Sequence, residues 1–132
     1  MVSIAIVVSD YRQKLTSKML AFALERARGL GARVVTVSHA PGALETPLAA
    51  KRLLEKKSVQ GVVVLAVVLQ GGTWHDIMVA ENAYRKLSDL SIEYSKPVCC
   101  GIIGPRTTRQ KAVKRLRDYS VHAVEATVKM LQ

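Results

Sequence analysis

The chain has 132 residues, enough for one domain with a substantial hydrophobic core. Hydrophobic residues make up 49% of it, yet no apolar stretch reaches the roughly 18 residues of a membrane-spanning helix, so no such helix is expected. The 20 basic and 10 acidic residues give a formal net charge of +10, which is compatible with nucleic acid, an acidic membrane surface, a phosphorylated substrate or simply solvated helix faces.

The first half of the chain alternates two strand patterns with two helix patterns. Short apolar runs predict strands at Ile4–Val8 and Val34–Val37. Between them, apolar residues at three- and four-residue steps predict a helix over residues 12–29, which stops at the glycines that follow. Residues 47–57 are predicted to form a shorter helix that begins with proline, a residue favoured in the first turn.

The second half repeats this alternation. The longest apolar run of the chain predicts a strand at Val62–Leu69, and a helix pattern follows over residues 77–94. Another apolar run predicts a strand at Val98–Ile103. Residues 107–131 are predicted to form one or two helices, with a break near Asp118–Ser120.

The order of these elements predicts an α/β fold. The strand patterns are continuous and rich in Val and Ile, which is typical of parallel strands that helices cover on both faces. Because crossovers between parallel strands are right-handed, few topologies remain. We predict a single domain over residues 1–132, built on a doubly wound, flavodoxin-like, four-stranded parallel sheet of order 2-1-3-4 with helices on both faces.

The two cysteines are adjacent in a predicted strand. Neighbouring strand residues point to opposite faces, so we expect no disulfide between Cys99 and Cys100. The N-terminal residues have no basic lead before a short apolar run, and no secretory signal is expected. Free thiols and the lack of such a signal favour a cytoplasmic protein.

The segment Gln70–Asp76 combines residues suited to an anion. It closes the longest apolar run and directly precedes a helix pattern. Its two glycines let the backbone approach a ligand, and free amides at a helix start attract negative charge. His75 adds a group that transfers protons near neutral pH. The segment therefore predicts an anion-binding catalytic turn, with an ordinary strand-to-helix turn as the alternative.

Chemically useful residues follow every predicted strand. Ligands of open parallel sheets bind outside the carboxyl ends of the strands. The segment Ser9–Arg12 supplies an aromatic ring, and the segment Ala40–Pro47 supplies a carboxylate beside a glycine turn. The segment Gly71–His75 supplies a histidine beside an expected anion-binding turn, and the segment Gly104–Arg109 supplies basic side chains. Four such segments at one edge predict a small-molecule site.

These segments resemble motifs of the lumazine synthases. Pro41–Pro47 is similar to the family turn Pro-Gly-Ala-Phe-Glu-(Leu/Ile)-Pro, and Val67–His75 is similar to Val-Val-Ile-(Arg/Glu)-Gly-x-Thr-x-His. Pro97–Ile102 and Lys111–Arg115 resemble the elements Pro-Val-x-x-Gly and Gln-Ala-x-x-Arg. The resemblance covers nearly the whole chain in register and is closest to the archaeal branch.

The resemblance implies a reaction of riboflavin synthesis. In it, 5-amino-6-(D-ribitylamino)uracil condenses with 3,4-dihydroxy-2-butanone 4-phosphate to give 6,7-dimethyl-8-ribityllumazine, without a metal or cofactor. It also implies a homo-pentamer, or multiples of it, whose sites lie between subunits. Neither a membrane nor a specific nucleic acid is expected as a partner.

Residue roles follow from the same resemblance. His75 would shuttle protons, Tyr11 would stack on the pyrimidine, and Arg115 would reach the phosphate from a neighbouring subunit. The other substrate-binding positions are Ala43, Leu44 and Glu45 for the uracil and ribityl groups, the backbone of Val67, Val68 and Leu69 for the ring edge, and Gly72 and Thr73 for the phosphate.

Four positions depart from the family pattern. Arg12 replaces an asparagine after the stacking aromatic and would crowd or recharge the rim of the pocket. Cys100 stands where the family has a second aromatic, which the neighbouring subunit contributes, so one stacking wall would be lost. Trp74 replaces a small or acidic residue, and a lysine expected near the start of the final helix falls at Tyr119 or Ser120.

Other interpretations stay open at this stage. Tyr11 is also compatible with a surface aromatic at a helix start, and Glu45 with a cap of the helix that begins at Pro47. On the same scaffold, a non-catalytic shell that binds flavin or a polyanion is the rival function. An enzyme that acts on another phosphorylated substrate is a closer rival.

Overall fold

A computed structural model describes the whole chain, residues 1–132. Its strands are β1 (Ser3–Ser9), β2 (Arg33–Ala40), β3 (Gly61–Val67) and β4 (Val98–Ile103). Its α-helices are α1 (Gln13–Gly29), α2 (Thr46–Leu54), α3 (His75–Tyr94), α4 (Arg109–Val113) and α5 (Leu116–Met130), and a 3-10 turn over Ala43–Glu45 precedes α2. None of these helices has both the length and the apolar character needed to cross a membrane.

The four strands form one parallel sheet of order β2-β1-β3-β4, which confirms the predicted topology. The chain starts at the centre, moves outward to β2, and returns past β1 to continue with β3 and β4. Residues of β1 from Ile4 onward and all of β3 are buried, whereas most of β2 is only half-buried. The continuous apolar patterns of the central strands therefore reflect burial on both faces.

Alternation along the central strands divides the core into two clusters. Val62, Val64 and Ala66 of β3 face a cluster with Leu54 of α2 and Leu87 of α3. The intervening side chains belong to a second cluster, in which the sheet meets α1, α4 and α5; members include Val63, Leu65, Val67, Met19, Ala112 and Val124. Helices thus cover both sheet faces, as the sequence predicts.

Most element boundaries agree with the sequence pattern within a few residues, but two expectations are wrong. β3 ends at Val67, so Val68 and Leu69 lie in the loop beyond the sheet. The C-terminal break lies between α4 and α5 and not near Asp118–Ser120. Ser120 lies inside α5, where its buried hydroxyl is satisfied because it donates a hydrogen bond of 2.7 Å to the carbonyl of Leu116.

The cysteines occupy opposite faces of β4. Cys100 packs against the cluster below α2 and α3, and Cys99 packs against the cluster below α1 and α5. Both thiols are free, which confirms the expectation from strand geometry.

Gly101 lies where α5 comes close to β4. A Cβ atom there would be 2.9 Å from Cδ2 of Leu65, 3.0 Å from the backbone oxygen of Tyr119 and 3.4 Å from Cβ of Ala123. Two of these neighbours belong to α5 and the third is fully buried in β3. The absence of a side chain at Gly101 therefore sets the distance between α5 and the sheet.

Replacing this glycine is expected to destabilise the fold. Gly101→Ala should lower the free energy of unfolding by about 1–3 kcal/mol, because the added methyl group overpacks a close helix–sheet contact. Urea unfolding measures the change. Gly29→Ala is the matched control, since its methyl group would meet only Nη1 of Arg26 at 3.9 Å, and its stability should be unchanged or slightly higher. Equal stability of the two variants would contradict this packing.

Candidate active site

A cavity of about 510 Å³ opens at the carboxyl edge of the sheet. Its walls come from the segments that follow β1, β2 and β3, and from the start of α3. The strand order reverses between β1 and β3, and doubly wound sheets bind ligands at such a reversal. The volume is typical of a small-molecule site.

The cavity brings most of the predicted site residues together. Nine of them line it: Tyr11, Ala43, Leu44, Glu45, Val67, Val68, Leu69, Thr73 and His75. Gly72 lies between two lining residues, Gly71 and Thr73, whereas Cys100 and Arg115 are not part of the wall. The wall also contains Gly42 and Gly71, which belong to the two predicted glycine turns, and Asp76 and Val79, to which the sequence gave no role.

The turn between β3 and α3 presents backbone and hydroxyl groups to the cavity. Added Cβ atoms at Gly71 and Gly72 would meet nothing within 4 Å, so the main chain is open there. The Thr73 hydroxyl accepts a hydrogen bond of 3.2 Å from the backbone N–H of His75, which leaves its own proton free to donate. With the amides at the start of α3, this turn has the donors that an anion needs.

Tyr11 stands at the wall without being packed into the core. Its side chain is 63% exposed, so a ring face is available for stacking on a planar ligand. The guanidinium of Arg12 lies over the ring, 5.1 Å from its centroid. Arg12 also lines the cavity, and it therefore adds positive charge to the rim beside the aromatic ring.

Glu45 comes from the 3-10 turn between β2 and α2. It directly precedes α2, but its side chain makes no capping hydrogen bond to that helix. Glu45 thus occupies the N-cap position of α2 without capping it through its side chain, and its carboxylate is available to hydroxyl or N–H groups in the cavity that it lines. A buried hydrogen bond of 2.7 Å from the Thr46 hydroxyl to the carbonyl of Ala43 stabilises the turn.

The loop between β4 and α4 supports the site from outside the cavity. Gly104 has a φ of 110°, and a Cβ atom there would collide with the carbonyl oxygen of Val68. Asp76 accepts hydrogen bonds from the Arg106 side chain and backbone, and these bonds hold the pKa of its carboxyl below its usual value. Sequence periodicity gives no sign of this contact, because its partners are 30 residues apart.

Two predicted site residues lie outside the wall of the cavity. Arg115 is exposed between α4 and α5, and Cys100 is half-buried in β4. Among the residues that line the cavity, Arg12 is the only Lys or Arg. The chain also contains no group of three His, Cys, Asp or Glu side chains placed to hold a metal ion.

Comparison with known proteins identifies the family. The family model for 6,7-dimethyl-8-ribityllumazine synthase matches residues 1–132. The chain belongs to the lumazine synthase family. It is 47% identical to the 6,7-dimethyl-8-ribityllumazine synthase of Staphylothermus marinus over 99% of this chain and 87% of that protein. The synthase of Pyrobaculum arsenaticum is 45% identical over 98% of this chain and 87% of that protein. The synthase of Methanopyrus kandleri is 41% identical over 99% of this chain and 92% of that protein. The resemblance to archaeal members is thereby confirmed.

Cys100 is expected to be a poor nucleophile. Burial, with a smaller contribution from Cys99, raises the pKa of its thiol to about 12, and only the thiolate reacts rapidly with alkylating reagents. At pH 8, iodoacetamide should modify Cys100 at least ~100-fold more slowly in the folded protein than in denaturant. Mass spectrometry of a Cys99→Ala variant isolates the signal of this one thiol. Similar rates in the two states would contradict the raised pKa.

Proposed function

We propose that this protein condenses 5-amino-6-(D-ribitylamino)uracil with 3,4-dihydroxy-2-butanone 4-phosphate to form 6,7-dimethyl-8-ribityllumazine. One observation carries the proposal: a single cavity is lined by an exposed aromatic ring, a carboxylate, a glycine-containing turn with a threonine hydroxyl, and a histidine. These groups match the parts of the two substrates, and the chain belongs to the family that is named for this product.

The pyrimidine occupies the side of the cavity near β1 and β2. Tyr11 stacks on the ring, and the main chain at Val67, Val68 and Leu69 offers peptide groups to its polar edge. Glu45 accepts hydrogen bonds from the substrate, while Ala43 and Leu44 shape the wall around the uracil and ribityl groups. The family resemblance supplies this division, and the presence of these residues in the wall of one cavity supports it.

The phosphorylated substrate occupies the turn before α3. The backbone near Gly72, the Thr73 hydroxyl and the first amides of α3 hold its phosphate. His75 then lies beside the reacting carbons and transfers protons during Schiff-base formation, phosphate elimination and ring closure. The cavity contributes further by holding both substrates in one orientation.

The site is completed by a neighbouring subunit in a homo-pentamer. The only Lys or Arg in the wall is Arg12, which lies over Tyr11, so the phosphate turn has no cationic side chain in the wall of its own chain. Arg115 is exposed beyond the edge strand β4, from which it can serve an adjacent chain. Large apolar side chains that remain exposed would be covered by such an assembly, among them Leu48, Met78 and Ile92.

We also infer a single domain and a cytoplasmic location. Residues 1–132 form a single domain, because both core clusters pack against one sheet. The protein works in the cytoplasm, where its two free thiols stay reduced.

His75 is expected to act in proton transfer and not in folding. His75→Ala should lower turnover by roughly 10²–10⁴-fold, the usual contribution of a positioned acid–base group, while the thermal midpoint stays near that of the parent. Product absorbance after mixing both substrates measures turnover. His122→Ala is the matched control, because His122 is an exposed residue of α5 that does not line the cavity.

The two possible failures of this experiment differ in meaning. Unchanged turnover in the His75→Ala protein would overturn the role of that residue alone. A parent protein that binds both substrates but forms no product would overturn the proposed reaction and favour a non-catalytic binding shell.

Subunit mixing tests whether the site is shared. Chains with His75→Ala and chains with Arg115→Ala should each have little activity alone. After subunit exchange at equal amounts, roughly a quarter of the interfaces in a ring would join an intact His75 to an intact Arg115, so activity should partly return. Native mass spectrometry confirms the mixing. No recovery in proven mixed pentamers would mean that each chain carries a complete site.

A further inference from the structure

Asp76 is the only charged residue among the buried side chains of this protein. Its carboxylate accepts three hydrogen bonds from Arg106: 2.8 Å from the backbone N–H and 3.1 Å from Nε, both to Oδ2, and 2.7 Å from Nη2 to Oδ1. A carboxylate that meets a guanidinium through two parallel bonds forms a strong and geometrically specific pair. The pair joins the first turn of α3 to the loop after β4.

The backbone of Arg106 adopts an unfavourable conformation to make this contact. Its φ is 56°, in the left-handed region that residues with a Cβ atom rarely occupy. Such a conformation persists only where the surrounding contacts enforce it. Here the N–H of the strained residue is itself held by Oδ2 of Asp76. The buried carboxylate therefore fixes both the side chain and the main chain of Arg106.

The same guanidinium also contacts residues on the other side of His75. Nη2 of Arg106 lies 3.4 Å from the carbonyl oxygen of Thr73, and its Cζ is 5.5 Å from the centroid of the Trp74 ring. Arg106 thus binds the two residues before His75 and the residue after it. One side chain from another loop holds the chain on both sides of the histidine.

The turn has little else to hold it in place. Neither Gly71 nor Gly72 has a side chain, and their Cβ positions face open space. The first end of the turn is fastened by a hydrogen bond of 2.8 Å from the backbone N–H of Gln70 to the carbonyl of Thr107. Thr107 is the neighbour of Arg106, so the loop after β4 anchors both ends of the turn.

We propose that the Asp76–Arg106 pair positions the Gly71–His75 turn for the phosphorylated substrate, and that Arg106 is a positioning residue and not a phosphate ligand. The proposal rests on the function proposed above for that turn. Arg106 does not line the cavity, and its Nε and Nη2 groups are already bonded to Asp76 and Thr73. Donors that are fixed before the ligand arrives need no reorganisation when it binds.

Two single variants and their combination test this role. Arg106→Gly removes the guanidinium but suits the positive φ, so the chain is expected to fold, and Asp76→Asn keeps the size of the side chain while removing its charge. In either variant the KM for 3,4-dihydroxy-2-butanone 4-phosphate should rise roughly 10- to 100-fold, as expected when a binding segment is misplaced. The KM for the ribitylamino-uracil should change by less than about twofold, because the pyrimidine side of the cavity is intact.

The double variant measures whether the two residues act as a unit. If Asp76 and Arg106 act through each other, the double variant should be no worse than the poorer single variant. Calorimetric titration with inorganic phosphate gives a readout that needs no turnover, and its Kd should rise by a similar factor. Arg109→Ala is the matched control, since Arg109 is an exposed arginine three residues further on, and it should leave both KM values and the phosphate Kd unchanged.

Several results would overturn the proposal. If Arg106→Gly raises the KM for the phosphorylated substrate while Asp76→Asn has the same KM as the parent protein, Arg106 binds the phosphate directly. Lower thermal stability with both KM values and the phosphate Kd unchanged would reduce the pair to a structural contact. If the parent protein forms no lumazine, the proposed reaction fails, and the phosphate titration of the same variants still decides the role of the pair.

Discussion

The burial of β1 and β3 on both faces is the constraint on which the other elements depend. A Val, Leu or Ile side chain that is fully buried contributes about 1.5–3 kcal/mol, and β3 alone has five such residues, Val62, Val63, Val64, Leu65 and Val67. Surface ion pairs contribute far less, about 0–1 kcal/mol each, as for the partly exposed Arg26–Glu125 pair between α1 and α5. Helices must therefore lie on both sides of the sheet, and the crossovers between its parallel strands place them there.

The parallel sheet also determines where the candidate active site lies. With all strands parallel, every strand-to-helix loop emerges at the same edge, and the reversal of strand order between β1 and β3 leaves a gap between the loops. Tyr11, Glu45 and His75 come from three different loops and meet at this gap. The loops are free to carry polar and glycine residues, because the core below them does not depend on those side chains.

The loop after β4 supports the candidate site without lining the cavity. It follows the edge strand β4, and its residues do not line the cavity. Arg106 instead pairs with Asp76, and Thr107 bonds to Gln70, so this loop supports the turn that carries His75. A loop outside the cavity thus holds, through hydrogen bonds, a glycine-rich segment that has little packing of its own. Contacts of this kind support the geometry of a binding site.

The sequence by itself determined the sheet and most of the segments that line the cavity. Apolar runs at β1 and β3 and the helical spacing of Ala80, Ala83 and Leu87 follow from local periodicity, which burial on each face imposes directly. The motifs near Glu45 and His75 can also be recognised from the sequence, because short segments contain those residues at fixed spacing beside predicted strand ends.

Only the tertiary structure decided the contacts between distant segments. The Asp76–Arg106 pair joins residues 30 positions apart, and the left-handed backbone of Arg106 exists because a buried carboxylate holds it there. The break lies at Lys114–Arg115 and not at Asp118–Ser120, and the hydroxyl of Ser120 is satisfied within α5. The end of β3 at Val67 likewise depends on where the neighbouring strands stop. Local patterns report which face a residue buries, whereas ion pairs, strained backbones and exact element ends depend on partners that only the folded chain brings together.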